Sequence, residues 1–172
     1  MRLIIIGAGG YGKTVADIAR QSGKYNSIDF LDDNENLDHT LGKCSDYIKF
    51  VNSETEIYPA FGNNESRIKW INRLIDEGIN VPTIIHDTAY VSPAATIAKG
   101  TVVLPKAIVN TDTIVEKGCI INCGAIVDHG CIIGKGSHIC LGAVVKAENR
   151  IPDLSKIEAG EVVQLRAFPI GG

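Results

Sequence analysis

A six-residue repeat fills much of the second half of the chain and constrains its fold more than any other feature. Ten successive positions spaced by six residues carry only Val or Ile: Val91, Ile97, Val103, Val109, Val115, Ile121, Val127, Ile133, Ile139 and Val145. A second row, two residues earlier in each repeat, carries only small side chains: Ala89, Ala95, Thr101, Ala107, Thr113, Cys119, Ala125, Cys131, Ser137 and Ala143. Because six is no multiple of the helical period, this pattern excludes an amphipathic helix.

The repeat predicts a solenoid of short strands. A β-branched residue favours a strand and fills the interior, whereas a small residue suits a bend that has no room for bulk. Glycines between the two rows supply the turns: Gly100, Gly118, Gly124, Gly130 and Gly136. Hexapeptide repeats are typical of a parallel β-helix, in which three hexads close one triangular coil.

A different composition precedes the repeats and predicts alternating strands and helices. Strands are expected at residues 2–6, Ile28–Leu31, Tyr47–Val51 and Ile57–Phe61, and helices at Lys13–Gln21 and Asn64–Glu77. We therefore predict an α/β, Rossmann-like βαβ domain over residues 1–82 and a β-helix domain over residues 83–172. Pro82 is the expected junction.

The first predicted strand is followed by a glycine-rich loop. Gly7, Gly9 and Gly12 satisfy the dinucleotide-binding pattern G-x-G-x-x-G, and Asp32 lies twenty residues beyond the last of them. The alternative is a tight turn needed only for packing. An NAD-dependent enzyme would also need a second mononucleotide half and a catalytic domain, which roughly eighty residues cannot hold. The loop therefore favours a nucleotide attached to something other than nicotinamide.

Composition and charge exclude several classes of protein. The chain has 172 residues and a formal net charge of −3, which gives no electrostatic basis for binding nucleic acid or anionic lipid. The longest apolar run, near Leu3–Gly9, is too short to cross a bilayer, and we expect no signal peptide. Five cysteines occur singly, without a CxxC pair or a His–Cys cluster. We therefore expect no metal site and a cytoplasmic protein with reduced thiols.

Three further positions have open interpretations. His129 and His138 lie outside the inward row. They are either solvated surface residues or functional residues, because a histidine titrates near neutral pH, as a general base should. The segment Gly62-Asn63-Asn64-Glu65 either caps the second helix, with Arg67 as a surface charge, or binds a ligand. The small row places Cys119 and Cys131 in the core, so a cysteine nucleophile is not expected.

Several motifs together carry a family resemblance that covers most of the chain. They are Gly7-Ala8-Gly9-Gly10-Tyr11-Gly12, Phe30-Leu31-Asp32-Asp33, Gly62-Asn63-Asn64-Glu65, Ile85-His86 with Ser92-Pro93-Ala94, and Asp128-His129 through Ser137-His138. In this combination the chain resembles sugar acyltransferases of the sialic acid O-acetyltransferase type. That group includes the acetyltransferase that N-acetylates a UDP-4-amino sugar in bacillosamine synthesis.

The resemblance implies a fold, an assembly and a site. It implies a left-handed parallel β-helix, a homotrimer, and acetyl-CoA bound in the groove between subunits. His129 matches the general base, and His138 matches a histidine that contacts acetyl-CoA. The positions that match those holding the nucleotide sugar are Gly9, Gly10, Tyr11, Asp32, Asp33 and Gly62, with Asn122 near the same site.

Two departures from the family pattern bear on function. Gly130 stands where the family has an acidic residue directly after the catalytic histidine, and strand alternation predicts that Asp128 faces away. The C-terminal part is also shorter: Ile151, Ile157 and Val163 keep the six-residue step, but their partners in the small row are Asn149, Ser155 and Glu161, which predicts a degenerate final coil. We expect an acetyl-CoA-dependent acetyltransferase that acts on a nucleotide-linked amino sugar. The alternative is a non-catalytic nucleotide-sugar-binding or scaffold protein on the same fold.

Overall fold

The computed structural model describes residues 1–171, which divide into two compact units, Met1–Pro82 and the chain from Thr83 onward. The first unit contains β1 (Arg2–Ile6), α1 (Gly10–Gln21), β2 (Ser27–Leu31), a 3₁₀ helix (Cys44–Phe50), β3 (Thr55–Pro59) and α2 (Asn64–Asp76). The strands form a parallel sheet in the order β2-β1-β3, so that Ile4 pairs with both Asp29 and Ile57. This arrangement confirms the Rossmann-like βαβ prediction, and the apolar run of β1 is its buried centre.

One predicted strand in this unit is wrong. Residues 47–51 were expected to be extended, but Cys44–Phe50 forms a 3₁₀ helix. Cys44 and Tyr47 are its buried residues, and their three-residue spacing matches a 3₁₀ turn better than a strand. The Asp46 carboxylate caps this helix by accepting a hydrogen bond from the N–H of Lys43, at 2.9 Å. The spacing of the buried residues and the Asp46 cap therefore favour a 3₁₀ turn, although the apolar residues of this segment had suggested a strand.

The second unit consists of fourteen two-residue strands, β4 to β17. Their bounds are Ile84–Ile85, Tyr90–Val91, Thr96–Ile97, Val102–Val103, Ile108–Val109, Ile114–Val115, Ile120–Ile121, Ile126–Val127, Ile132–Ile133, His138–Ile139, Val144–Val145, Arg150–Ile151, Lys156–Ile157 and Val162–Val163. Every pair is parallel and joins residues eighteen positions apart, such as Ile120 with His138. The strands stack into three sheets, which we call the first face (β4, β7, β10, β13, β16), the second face (β5, β8, β11, β14, β17) and the third face (β6, β9, β12, β15). The predicted left-handed parallel β-helix is thereby confirmed.

The two rows of the repeat build the core of the β-helix. The second residue of each strand from Val103 to Ile151 is fully buried, as are most of the small residues two positions earlier. Burying an unbroken column of Val and Ile removes apolar surface from water in every coil, which is the main source of stability for such a solenoid.

The last coil keeps strand geometry although its small row is irregular. Asn149 takes a small-row position and is fully buried. Its Nδ2 donates to the main-chain oxygens of Lys146 and Gln164, both at 2.8 Å, and its Oδ1 accepts from the N–H of Phe168 at 2.8 Å. The polar side chain thus links the last two coils by hydrogen bonding to main-chain groups of both.

Candidate functional site

The glycine-rich loop joins β1 to α1, and its glycines serve two purposes. A Cβ at Gly12 would lie 1.9 Å from the main-chain oxygen of Gly7, and Gly7 itself has a φ of 104°. These two glycines are therefore required by close packing and backbone conformation. At Gly9 and Gly10, a Cβ would meet no atom of the described residues within 4 Å. Gly7 and Gly12 therefore shape the turn, as the packing interpretation predicts, whereas Gly9 and Gly10 are not required by close packing.

The predicted carboxylates lie at the end of β2 and brace neighbouring loops. Asp32 accepts hydrogen bonds from the N–H of Ala8 at 2.7 Å and from the N–H of Asn34 at 2.9 Å. Asp33 accepts from the N–H of Cys44 at 2.9 Å. Because Asp32 bonds to the glycine-rich loop itself, the ends of β1 and β2 form one surface. This is the edge of a parallel α/β sheet where ligands bind.

Tyr11 lies in the first turn of α1 and points toward β3. Its hydroxyl is 2.9 Å from that of Tyr58, which is fully buried. Burial, followed by the neighbouring Tyr58, holds the pKa of Tyr11 well above the usual tyrosine range, and the positive charge of Arg67 partly opposes this rise. Tyr11 is therefore a neutral hydrogen-bonding group at neutral pH.

The third loop of this edge runs from β3 into α2. The side chain of Asn63 accepts from the N–H of Ser66 at 2.8 Å, so Asn63 is the N-cap that one interpretation predicted. Arg67, however, is not a surface charge. It is fully buried, and its guanidinium bonds to the loop itself. A signal was present in the sequence, since Arg67, Ile71 and Leu74 recur at helical spacing on the buried face of α2.

Within the second unit, His129 lies in the turn that follows β11 and is exposed. Asp128 accepts from the main-chain N–H of His129 at 2.7 Å and from Nδ2 of Asn110 at 3.2 Å, so its carboxylate is bound to the backbone beside the histidine. One coil later, the N–H of Glu148 donates to the main-chain oxygen of His129 at 3.1 Å. The Glu148 side chain packs against Gly130, where a Cβ would lie 3.7 Å from its Cγ.

Glu148 also has a cationic partner of its own. Its carboxylate accepts from Nε of Arg166 at 2.5 Å. The Arg166 hydrogen bond and charge hold the pKa of Glu148 below its usual range, with a smaller contribution from the charge of His129. A carboxylate thus lies close to His129 although position 130 has no side chain.

His138 lies on the outward side of β13, and the structure brings it together with Asn122. Nδ2 of Asn122 and Nε2 of His138 are 2.9 Å apart. Asn122 is therefore in the same unit as His129 and His138, whereas Gly9, Gly10, Tyr11, Asp32, Asp33 and Gly62 lie in the first unit.

The cysteines and the search for metal ligands add no further chemistry. The five cysteines are thiols rather than disulfides, and Cys119 and Cys131 are buried in the core as predicted. Burial raises the pKa of the Cys131 thiol, as expected for a structural residue. Among residues 1–171, no three His, Cys, Asp or Glu side chains cluster in a way that would hold a metal ion. In the same range, no helix has both the length and the apolar character needed to cross a membrane.

Known proteins share both units. Residues 2–74 match the family described as the PglD N-terminal domain. The acetyltransferase domain of PglB from Neisseria gonorrhoeae is 35% identical, with a TM-score of 0.91 over 96% of this chain and 83% of that one. The same domain in complex with acetyl coenzyme A gives a TM-score of 0.90 at 35% identity over 96% and 82% of the two chains.

A third solved structure extends the comparison to another organism. PerB from Caulobacter crescentus, in complex with CoA and GDP-perosamine, is 25% identical, with a TM-score of 0.83 over 98% of this chain and 91% of that one. The glycine-rich edge of the first unit, the hexapeptide solenoid of the second and the similarity over nearly the full length agree with one another. The chain therefore belongs to the bacillosamine-type family of sugar acetyltransferases.

Proposed function

We propose that this protein transfers the acetyl group of acetyl-CoA to the amino group of a nucleotide-linked sugar. The observation that carries the proposal is the 35% identity, over 96% of the chain, to an acetyltransferase domain that binds acetyl coenzyme A. The complex of PerB with CoA and GDP-perosamine supports a nucleotide-linked amino sugar as the acceptor. Acetyl-CoA is a co-substrate in this reaction, and no metal takes part in the proposed chemistry.

The first unit binds the nucleotide sugar at the edge where β1, β2 and β3 end. Gly9, Gly10 and Gly62 offer main-chain groups with open space in front of them. Tyr11 contributes a neutral hydroxyl, and the helix N-termini favour the negative charge of a diphosphate. Asp32 and Asp33 keep free lone pairs on their carboxylates for sugar or ribose hydroxyls.

His129 acts as the general base in the second unit. The amino nitrogen of the sugar attacks the thioester carbonyl carbon, the carbon–sulfur bond breaks, and His129 takes the proton that the nitrogen loses. The electron pair of the broken bond leaves with sulfur, and the imidazolium returns the proton to the CoA thiolate. The products are an amide and CoA thiol. His138 contacts acetyl-CoA, held by Asn122, and much of the rate comes from aligning the two substrates.

We also propose a homotrimer with acetyl-CoA in the groove between subunits. The outward residues of the second face form an unbroken apolar column: Tyr90, Ile108, Ile126, Val144 and Val162. Tyr90 is 54% exposed and Val162 44%. A contiguous apolar surface of this kind is typical of a contact between subunits, and closed rings are the common form for identical chains. The five cysteines, present as thiols rather than disulfides, support a cytoplasmic location.

A non-catalytic nucleotide-sugar-binding or scaffold protein is the second candidate. Gly130 is the observation that favours it, because the position after His129 carries no carboxylate to orient the imidazole. The carboxylate that does lie near, that of Glu148, is bound by Arg166. Binding of a nucleotide sugar with no affinity for acetyl-CoA would support this candidate over the enzyme.

The decisive experiment follows the mass of the product over time with acetyl-CoA and a panel of UDP- and GDP-linked amino sugars. The wild type is compared with His129→Ala and with His39→Ala, a matched control in the first unit. We expect the product to gain one acetyl group. The rate of acetylation should fall by about 100-fold or more in His129→Ala and stay unchanged in His39→Ala. An amide product resists hydroxylamine, whereas an ester is cleaved, so the same samples distinguish N- from O-acetylation. Full activity in His129→Ala would remove this residue from the mechanism.

A further inference from the structure

Arg67 is the largest fully buried side chain of the protein and carries a positive charge. A guanidinium remains charged at any physiological pH, so removing it from water is costly unless its donors are satisfied. Its place in the first unit is therefore set by what it binds, and its partners include one of the loops at the proposed nucleotide-sugar site.

The guanidinium binds the segment that connects β3 to α2. Nη1 donates to the main-chain oxygen of Phe61 at 2.9 Å and to that of Gly62 at 3.4 Å. Nη2 donates to Oδ1 of Asn64 at 2.8 Å. A planar group with donors in a fixed fork thus holds two successive carbonyls and the first residue of α2.

These bonds determine where the amide groups of the loop point. All peptide bonds of residues 1–171 are trans, and in a trans peptide the C=O and the following N–H lie on opposite sides. Because the oxygens of Phe61 and Gly62 face the buried guanidinium, the N–H groups of Gly62 and Asn63 face the other way. Within the described residues neither N–H donates a hydrogen bond, and a Cβ at Gly62 would meet no atom within 4 Å.

Arg67 also lies close to the glycine-rich loop. Its charge acts on the hydroxyl of Tyr11, which is hydrogen-bonded to Tyr58 on β3. One buried cation therefore contacts the loop after β3 and lies near the aromatic residue that begins α1. The same buried cation thus acts on both loops that would hold the nucleotide sugar.

We propose that Arg67 is a positioning residue for the nucleotide sugar. Its guanidinium fixes the Phe61–Asn63 main chain so that the N–H groups of Gly62 and Asn63 are presented to an oxygen of the bound molecule. The acceptor is an oxygen of the diphosphate or of the sugar. The proposal rests on the proposed function for the identity of the ligand, and it assigns to Arg67 no contact with the reacting atoms.

The test compares Arg67→Lys with Arg73→Lys, which changes an exposed arginine on the same helix. Lysine keeps the charge but cannot hold two carbonyls and an amide in the same plane. Calorimetry measures the Kd of the nucleotide sugar, of its free nucleoside diphosphate and of acetyl-CoA. We expect Arg67→Lys to weaken nucleotide-sugar binding by about tenfold while acetyl-CoA binding stays unchanged. Arg73→Lys should bind both as the wild type does.

The free nucleoside diphosphate separates the two sources of the oxygen. A loss of similar size with the diphosphate alone assigns the acceptor to the phosphates, and a loss only with the complete molecule assigns it to the sugar. In turnover, the KM of the nucleotide sugar should rise while kcat is retained at saturation. A Kd within twofold of wild type in Arg67→Lys overturns the proposal.

A measurement on the wild type guards against a variant that fails to fold. In ¹⁵N–¹H spectra, the amide signals of Gly62 and Asn63 should move on addition of the nucleotide sugar, and unmoved signals at saturation overturn the proposal. If the nucleotide sugar binds but is never acetylated, the proposed function fails while both tests of Arg67 remain valid.

Discussion

Nδ2 of Asn122 lies 2.9 Å from Nε2 of His138, and this contact defines the state of the histidine. Oδ1 of Asn122 already accepts from the N–H of Cys123 at 2.8 Å, so its amide nitrogen faces the ring. An amide nitrogen can only donate, and Nε2 must then accept. Neutral His138 therefore carries its proton on Nδ1, which makes that nitrogen a donor.

Replacing Asn122 by Leu should release this constraint. Without the amide donor at Nε2, that nitrogen can itself carry the proton, so the Nδ1–H tautomer of neutral His138 is no longer enforced by Asn122. We expect the KM of acetyl-CoA to rise by about tenfold, and ring ¹⁵N shifts to change from a single Nδ1–H form to a mixture. Asn110→Leu, at the equivalent position after β8 and twelve residues earlier, is the matched control. A ring spectrum identical to that of wild type would contradict the assignment.

Gly12 and Gly10 should respond in opposite ways to the same substitution. In Gly12→Ala the new Cβ would meet the main-chain oxygen of Gly7, so we expect a loss of about 3 kcal/mol in the free energy of unfolding. Gly10→Ala meets no such obstacle and should change stability by about 0.5 kcal/mol or less. Its methyl group instead enters the open space before the loop and should raise the KM of the nucleotide sugar. Urea unfolding and initial rates measure the two effects, and equal stabilities would exclude the packing argument.

Tyr25 should make the protein less stable in alkali. Its hydroxyl donates to Oε2 of Glu56 at 2.5 Å. Burial raises the pKa of Tyr25, and the hydrogen bond and charge of Glu56 raise it further. As pH rises, the unfolded chain loses this proton first, so the stabilising contribution is present below about pH 10 and is lost above it.

The measurement is the free energy of unfolding in urea at a series of alkaline pH values. Tyr25→Phe removes the titrating group, so its stability should fall less steeply than that of wild type above about pH 10. Parallel curves for Tyr25→Phe and wild type would show that Tyr25 does not contribute.

Cysteine reactivity should differ between Cys44 and Cys123. Burial raises the pKa of Cys44 to about 12, and the charge of the neighbouring Asp33 adds to the shift. Cys123 is half-buried, in the turn after β10. At about pH 8 we expect iodoacetamide to modify Cys123 at least about tenfold faster than Cys44, read by peptide mass mapping. Cys123→Ser should abolish the fast adduct. Equal rates at the two thiols would contradict this prediction.

The β-helix could be predicted from the sequence because its period is a direct consequence of its geometry. Each inward position recurs where the coil returns to the same face, so the rows of Val, Ile and small residues specify the fold without knowledge of distant contacts. The strand at residues 47–51 was mispredicted for the opposite reason. Tyr47 is buried and donates a hydrogen bond to Glu77, thirty residues away, and this distant contact is not visible in the local sequence.

The contacts of Arg67 within the candidate site could not be predicted from the sequence either. Its partners include the main-chain oxygens of Phe61 and Gly62, and every residue has such an oxygen, so no sequence motif indicates these contacts. Asn122 and His138 were each identified by resemblance, but their mutual contact arises from the stacking of neighbouring coils. Residue types can thus be read from the sequence, whereas shared hydrogen bonds appear only once the chain is folded.

Because strands pair with an eighteen-residue register, the face on which a side chain lies depends on the number of residues that precede it in the solenoid. Each strand pairs with the strands eighteen positions before and after it, as Ile126 does with Ile108 and Val144. Removing eighteen residues would delete one coil and leave every later side chain on its original face. Removing six residues between Asn122 and His138 would keep the hydrophobic pattern intact and yet move every later strand by one face, which would separate His138 from Asn122. A deletion can therefore leave the fold of the solenoid intact and still disrupt the site.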